Sequence, residues 1–307
     1  RRCMSDDGSE NEQEQTAPPH ALTKEEVQKG LSALCKTVDG TQFALTRLEL
    51  PNASLNKIDL LKSYLHLRYI NLSKNSITDL SPLEAMPFLL SLDVSSNALT
   101  KVNLPKLEYL QMLCVAKNKV KTIEELEFPM LRFFDASSNE IEKVAGLDAM
   151  PDLETLKLES NKMTTGEGVG LPQLKTLTFA NNLLESVAGL AELTGVPVLS
   201  LSGNKIVDLA DFPASEVLNE LDLKGNAIAS LDQIENLKVL PKLARLHLSE
   251  NPIAEVENYR IKILRRLPTL TMLDEEEITE EEIEASKEPE EEPPAEEEGE
   301  GGEEEGE

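Results

Sequence analysis

The chain has 307 residues with 57 acidic and 30 basic side chains, and its net charge of -27 excludes a protein that works by gripping nucleic-acid phosphates. The charge sits at the ends: residues 1–16 carry net -3 and residues 274–307 net -19, which leaves -5 for residues 17–273. Apolar residues make up 40% of the chain but aromatics only 4%, with no Trp, so the core must be built from aliphatic side chains.

No run approaches the roughly 18 apolar residues of a membrane span, and no N-terminal stretch has the apolar core of a signal peptide. A soluble, cytoplasmic protein with no membrane or nucleic-acid partner is the expectation. Cys3, Cys35 and Cys114 are an odd, widely spaced set, which fits a reducing compartment and no disulfide framework. Arg1, Arg2 and Cys3 precede Met4, a candidate start.

Residues 1–21 are polar, acidic and Pro-containing, and are expected to be a disordered leader. Residues 22–44 are expected to form an N-terminal capping helix. Thr23 and Glu26 make a capping box, Val27, Leu31 and Leu34 form an apolar stripe, and Gly40 marks the stop.

From residue 45 the chain repeats itself. The pattern L-x-x-L-x-L-x-x-N-x-L places Asn at 75, 97, 118, 139, 161, 182, 204, 226 and 251, in steps of 21, 22 or, at the end, 25 residues. An earlier unit, Leu45, Leu48, Leu50 and Leu55, has Ala53 where Asn belongs. Ten repeats of about 22 residues over 45–257 predict an α/β solenoid with one parallel sheet, each Asn amide satisfying backbone groups at the turn. Short Pro-bearing pieces such as SPLEAMPFL (81–89) predict 3₁₀ turns on the convex side. Residues 258–275, with Ile263, Leu264, Leu267, Leu270 and Leu273, are expected to close the core, and residues 276–307 to be a disordered Glu-rich tail.

Nothing in the chain predicts an enzyme, a cofactor or a metal. His20, His66 and His247 are the only histidines, and the strand-face pair His247 and Cys114 stands six repeats apart, about 29 Å at the strand spacing. TTGEGVG (164–170) follows a repeat turn instead of opening a βαβ unit, and so reads as a convex loop.

Alternation puts the residues six and four before each Asn on the open, concave side. Most are small and polar, but Met112, Cys114, Ala116 and Phe133 make an apolar cluster beside Asp93, Asp135 and Lys157. Such a cluster is either a partner site or a patch covered by the leader. Tyr69, Asp93, Met112, Cys114, Phe133, Asp135, Lys157, Arg245 and His247 are the candidate partner-binding residues. The tail has three readings: a self-repelling solubiliser, a capture segment for a basic partner, or a Glu-Gly run that is glutamylated, as its similarity to the acidic tails of tubulins suggests.

The repeat over 45–257 resembles the SDS22-like leucine-rich-repeat class, and NYRIKILRRLPTLTMLDEEEIT (258–279) resembles the cap of that class. LTKEEVQKGLSALCKT (22–37) and SYLHLRYINLSKNSITDLSPL (63–83) resemble a family of axonemal radial-spoke proteins. That resemblance implies a non-enzymatic scaffold of the ciliary and flagellar axoneme, a radial-spoke subunit that supports regulated motility. It implies other axonemal proteins as partners, and a monomer within a larger hetero-complex of the cytoskeleton. The alternatives are a phosphatase regulatory subunit, weakened by having just Tyr69 and Phe133 as aromatics in the two columns, or an acidic nuclear histone-binding protein, weakened by the number of repeats.

Overall fold

The computed structural model describes residues 18–171, 173–190 and 193–288; the leader through residue 17 and the Glu-rich stretch 289–307 lie outside the described residues. One thirteen-stranded sheet orders the rest. Its strands are β1 (Leu31–Lys36), β2 (Phe43–Glu49), β3 (Tyr69–Asn71), β4 (Ser91–Asp93), β5 (Met112–Cys114), β6 (Phe133–Asp135), β7 (Thr155–Lys157), β8 (Thr176–Thr178), β9 (Val198–Ser200), β10 (Glu220–Asp222), β11 (Arg245–His247), β12 (Met272–Leu273) and β13 (Glu276–Glu277). They lie side by side in chain order, parallel from β2 to β12 and antiparallel at both ends. In each strand from β3 to β11 the middle residue is buried and its neighbours face out, so every repeat contributes one short apolar edge to a shared core.

The Asn residues stitch the repeats together. Asn139 Nδ2 donates to the carbonyls of Val115 (3.0 Å), Ala136 (3.0 Å) and Ser137 (3.2 Å), while its Oδ1 accepts from the Val120 amide (3.0 Å). The same set recurs at Asn161, Asn182, Asn204, Asn226 and Asn251, all buried. Each amide therefore satisfies backbone groups of two successive repeats at the point where the strand ends. The residue just before the Asn is left-handed throughout, as at Lys117 (φ 56), Ser138 (φ 54), Ser160 (φ 57) and Gly225 (φ 66). That conformation turns the chain away from the sheet.

Five short 3₁₀ helices, including Ser81–Ala85 and Pro252–Glu255, lie on the return path among the described residues. The 164–170 loop is held tightly there. Gly168 is left-handed (φ +84), and a Cβ on it would sit 2.4 Å from the Val144 carbonyl oxygen of the preceding repeat.

Both ends differ from the sequence expectations. The capping helix α1 covers only Lys24–Gly30, with the Thr23–Glu26 box formed and Val27 buried. Leu31 and Leu34 do not continue it: Leu31–Lys36 is β1, paired antiparallel to β2 with Leu34 opposite Leu45. Two turns of helix are too short to be stable alone, whereas the open edge of the first repeat offers unpaired backbone groups to any strand that covers it. His20–Ala21, placed in the leader by the sequence, pairs with Leu55–Lys57.

At the other end the ordered cap runs past residue 275. The helix α2 (Tyr259–Arg266) is followed by β12, β13 and the helix α3 (Glu280–Lys287), which begins with a Thr279–Glu282 capping box. Arg260 holds it, with Nε donating to Glu282 Oε1 at 2.5 Å and Nη1 donating to the Leu273 carbonyl at 2.9 Å. A helix cap and a multiply bonded guanidinium outweigh the local glutamate repulsion that suggested disorder from residue 276.

Candidate protein-binding face

The sheet register brings the central candidates together. Ser91, Met112, Phe133 and Thr155 are successive partners along one row, and Asp93, Cys114, Asp135 and Lys157 along the next. Neighbours in a row stand about 4.8 Å apart, the spacing between strands. Met112 is 41% exposed, while Phe133 and Cys114 are half-buried.

The charged residues around this cluster are positioned by their own loops. Asp93 Oδ1 accepts from the Ser95 amide (2.9 Å), and Asp135 Oδ1 accepts from the Ser137 amide (3.0 Å) and hydroxyl (2.6 Å). Each carboxylate is thus fixed before any partner arrives, which lowers the entropic cost of using it. Lys157 Nζ lies 5.6 Å from the centre of the Phe133 ring, a cation–π contact that steadies the ring against the sheet. Burial, reinforced by the charges of Asp93 and Asp135, pushes the Cys114 thiol up to about 11, so it stays neutral at physiological pH and acts as a small apolar surface, not a nucleophile.

Of the other candidates, Tyr69 adjoins this cluster, whereas Arg245 and His247 do not. Tyr69 lies two strands away, under the Arg47 guanidinium at 4.9 Å, and with Arg47, Asn71, Asp93 and Met112 it lines a shallow cavity of about 450 Å³. Arg245 and His247 sit on β11, six strands from Met112, roughly 29 Å away. There Arg245 Nε donates to Glu220 Oε2 (2.6 Å) and His247 Nε2 lies 3.9 Å from Glu220 Oε1, a separate local ion-pair group. Among the described residues no group of three or more His, Cys, Asp and Glu is placed to hold a metal ion, and no helix is long and apolar enough to cross a membrane.

Sequence columns six and four before the Asn missed a second apolar surface. It lies on the edge where the parallel strands begin, at Phe88, Tyr109 and Met130, each nine residues before an Asn, and on the β1–β2 hairpin. Extending the same count by three positions would have found the first three.

A profile of the leucine-rich repeat region matches residues 43–289. Leucine-rich repeat-containing protein 23 of Homo sapiens is 38% identical over 267 residues, covering 86% of this chain and 78% of that protein. The chain belongs to the leucine-rich repeat-containing protein 23 family. The Xenopus tropicalis member is also 38% identical, over 270 residues, with 86% and 77% of the two chains covered. Beyond the family, cilia- and flagella-associated protein 410 of Homo sapiens is 46% identical over 68 residues, 22% of this chain and 27% of that one. Among solved structures, YopM from Yersinia enterocolitica is 30% identical with a TM-score of 0.50, covering 67% of this chain and 42% of that one. Membership in the leucine-rich repeat-containing protein 23 family and the solenoid geometry agree on a protein-interaction scaffold.

Proposed function

We propose that this protein is a non-enzymatic scaffold subunit of the ciliary and flagellar axoneme, a radial-spoke component that supports regulated motility, and that it grips a neighbouring axonemal protein with its concave face. The observation that carries the contact is the Met112–Phe133 cluster, an apolar pair on a polar sheet face between the fixed carboxylates of Asp93 and Asp135. A rigid ring with adjacent exposed methionine makes an anchor, and the carboxylates set the register of whatever docks. Arg245 and His247 would belong to a second contact farther along the same face. The family relation over most of the chain and the partial similarity to a cilia- and flagella-associated protein support the axonemal setting.

The test is the location of a tagged copy in a ciliated cell, before and after detergent strips membrane and soluble matrix. Retention on the axoneme at a regular spacing is the expected result. A diffuse signal lost to detergent, or a nuclear one, overturns the axonemal reading.

A further inference from the structure

The edge where the strands begin carries a groove of about 360 Å³ lined by Thr37, Val38, Arg68, Phe88, Leu90 and Tyr109. It is apolar where it is open to water: Tyr109 is 44% exposed and Val38 59%, and the Phe88 and Tyr109 rings stand 6.3 Å apart as a tilted pair. The hairpin that supplies Thr37 and Val38 adds Leu34 and Phe43, each 65% exposed, on β1 and β2. Aliphatic and aromatic surface of this extent, held on a rigid sheet edge, marks a docking site.

Charge selects the occupant. Arg68 Nη2 donates to the Lys36 carbonyl (2.9 Å), which fixes the guanidinium in the groove, and no ion pair to Arg68 is formed among the described residues. Arg47 on the neighbouring strand is different, since Glu49 neutralises it at 3.0 Å. The acid nearest in the hairpin turn, Asp39, spends its carboxylate on the Thr37 and Thr41 hydroxyls and the Thr41 amide. In a chain of net charge -27, this leaves an apolar groove with an unneutralised guanidinium. The chain's own Glu-rich end does not fit, because residues 289–307 contain no apolar side chain larger than Ala295 and Pro.

We propose that this groove is a second docking site, separate from the concave face, that takes an acidic segment of another protein in which aliphatic or aromatic side chains alternate with carboxylates. The apolar side chains fill the space between Val38 and Tyr109, and a carboxylate pairs with Arg68 through a charge-assisted, bidentate contact.

The experiment uses the full chain with labelled methyl groups and two capped synthetic heptapeptides, one alternating glutamate with leucine and phenylalanine, the other with lysine in place of each glutamate. The acidic peptide is expected to shift the methyl resonances of Leu34 and Val38, and to bind at least about tenfold more tightly than the basic one. Arg68→Glu should reverse that preference while the melting temperature stays within a few degrees. Three results overturn the proposal. The first is equal or absent binding of the two peptides. The second is shifts confined to Met112 on the concave side. The third is contact between the Met4 methyl and Tyr109 in the free protein, which would assign the groove to the chain's own leader.

Discussion

Tyr259 Oη donates to Asp274 Oδ2 at 2.8 Å, and Asp274 Oδ1 accepts from the Leu248 (2.6 Å) and Ser249 (2.7 Å) amides of the last repeat. A single carboxylate thus ties the cap helix to the open end of the solenoid. Burial first, and then the charge of Asp274, push the Tyr259 phenol well above its ordinary range, so it remains a proton donor under all physiological conditions. Tyr259→Phe removes one hydrogen bond to a charged acceptor and should cost about 1.5–3 kcal/mol in urea unfolding. Asp274→Ala strands two backbone donors as well and should cost more. Equal midpoints for wild type and both variants would show that the cap does not contribute to stability.

Asn139→Ala leaves the Val120 amide and the carbonyls of Val115 and Ala136 without their partner inside the solenoid. A loss of about 1–3 kcal/mol is expected, because buried polar groups left unpaired carry their full desolvation penalty. Met112→Ser, on the exposed side of the neighbouring strand, should move the unfolding midpoint far less, by about 0.5 kcal/mol or under. The pair of measurements separates the ladder from the binding face.

The ladder could be read from spacing alone, since Asn at 21 or 22 residues fixes strand positions, register and the outward columns together. The ends could not, because there the repeat breaks and local signals compete. Asp39-Gly40 is a hairpin turn signal, and Gly40 is left-handed (φ +70), but the preceding Val27, Leu31 and Leu34 also match a helical stripe. The unpaired edge of β2 decided between them. At the C-terminus, Thr279 and Glu282 spell out a capping box, yet the surrounding glutamates dominate any compositional reading. For the candidate face, the 21- and 22-residue spacing places the rows around Phe133 in register, whereas Arg245 and His247, candidates on the same face, lie on β11, five strands from Phe133.

Phe133→Asp should abolish retention of a tagged copy on detergent-stripped axonemes while the melting temperature changes by a few degrees at most. The ring is half-buried and braced by Lys157, so some destabilisation accompanies the loss of its cation–π contact, about 0.5–1 kcal/mol. Lys157→Met is the control: it removes the same contact without adding a charge to the anchor. Wild-type retention of Phe133→Asp would remove the concave cluster from the functional proposal.

Gly168 and Gly40 are both left-handed, but only one is crowded. A Cβ at Gly168 would meet the Val144 carbonyl, while at Gly40 nothing lies within 4 Å. Gly40→Ala should therefore cost only the left-handed penalty, about 1–2 kcal/mol, and Gly168→Ala distinctly more. Chemical denaturation of the two variants checks the order, and a reversed order would show that the 164–170 loop can move off its neighbour.

His20 and Glu26 make the N-terminal unit responsive to pH. His20 Nε2 lies 2.7 Å from Glu26 Oε1, and this hydrogen bond raises the imidazole pKa above the ordinary histidine value despite an opposing desolvation effect. For Glu26, burial acts to raise the carboxyl, but the Thr23 hydroxyl, His20 and the Thr23 amide together bring it below its usual value. A base whose folded pKa is raised stabilises the fold fully below its unfolded value, and that contribution disappears as pH climbs through the folded midpoint. The ring resonances of His20 should titrate above 6.5 in the wild type and closer to it in Glu26→Gln. Protection of the His20 amide, bonded at 2.9 Å to the Ser54 carbonyl, should weaken over the same interval once exchange is corrected for its intrinsic pH dependence. An unchanged His20 midpoint in Glu26→Gln would dissociate the raised pKa from this pair.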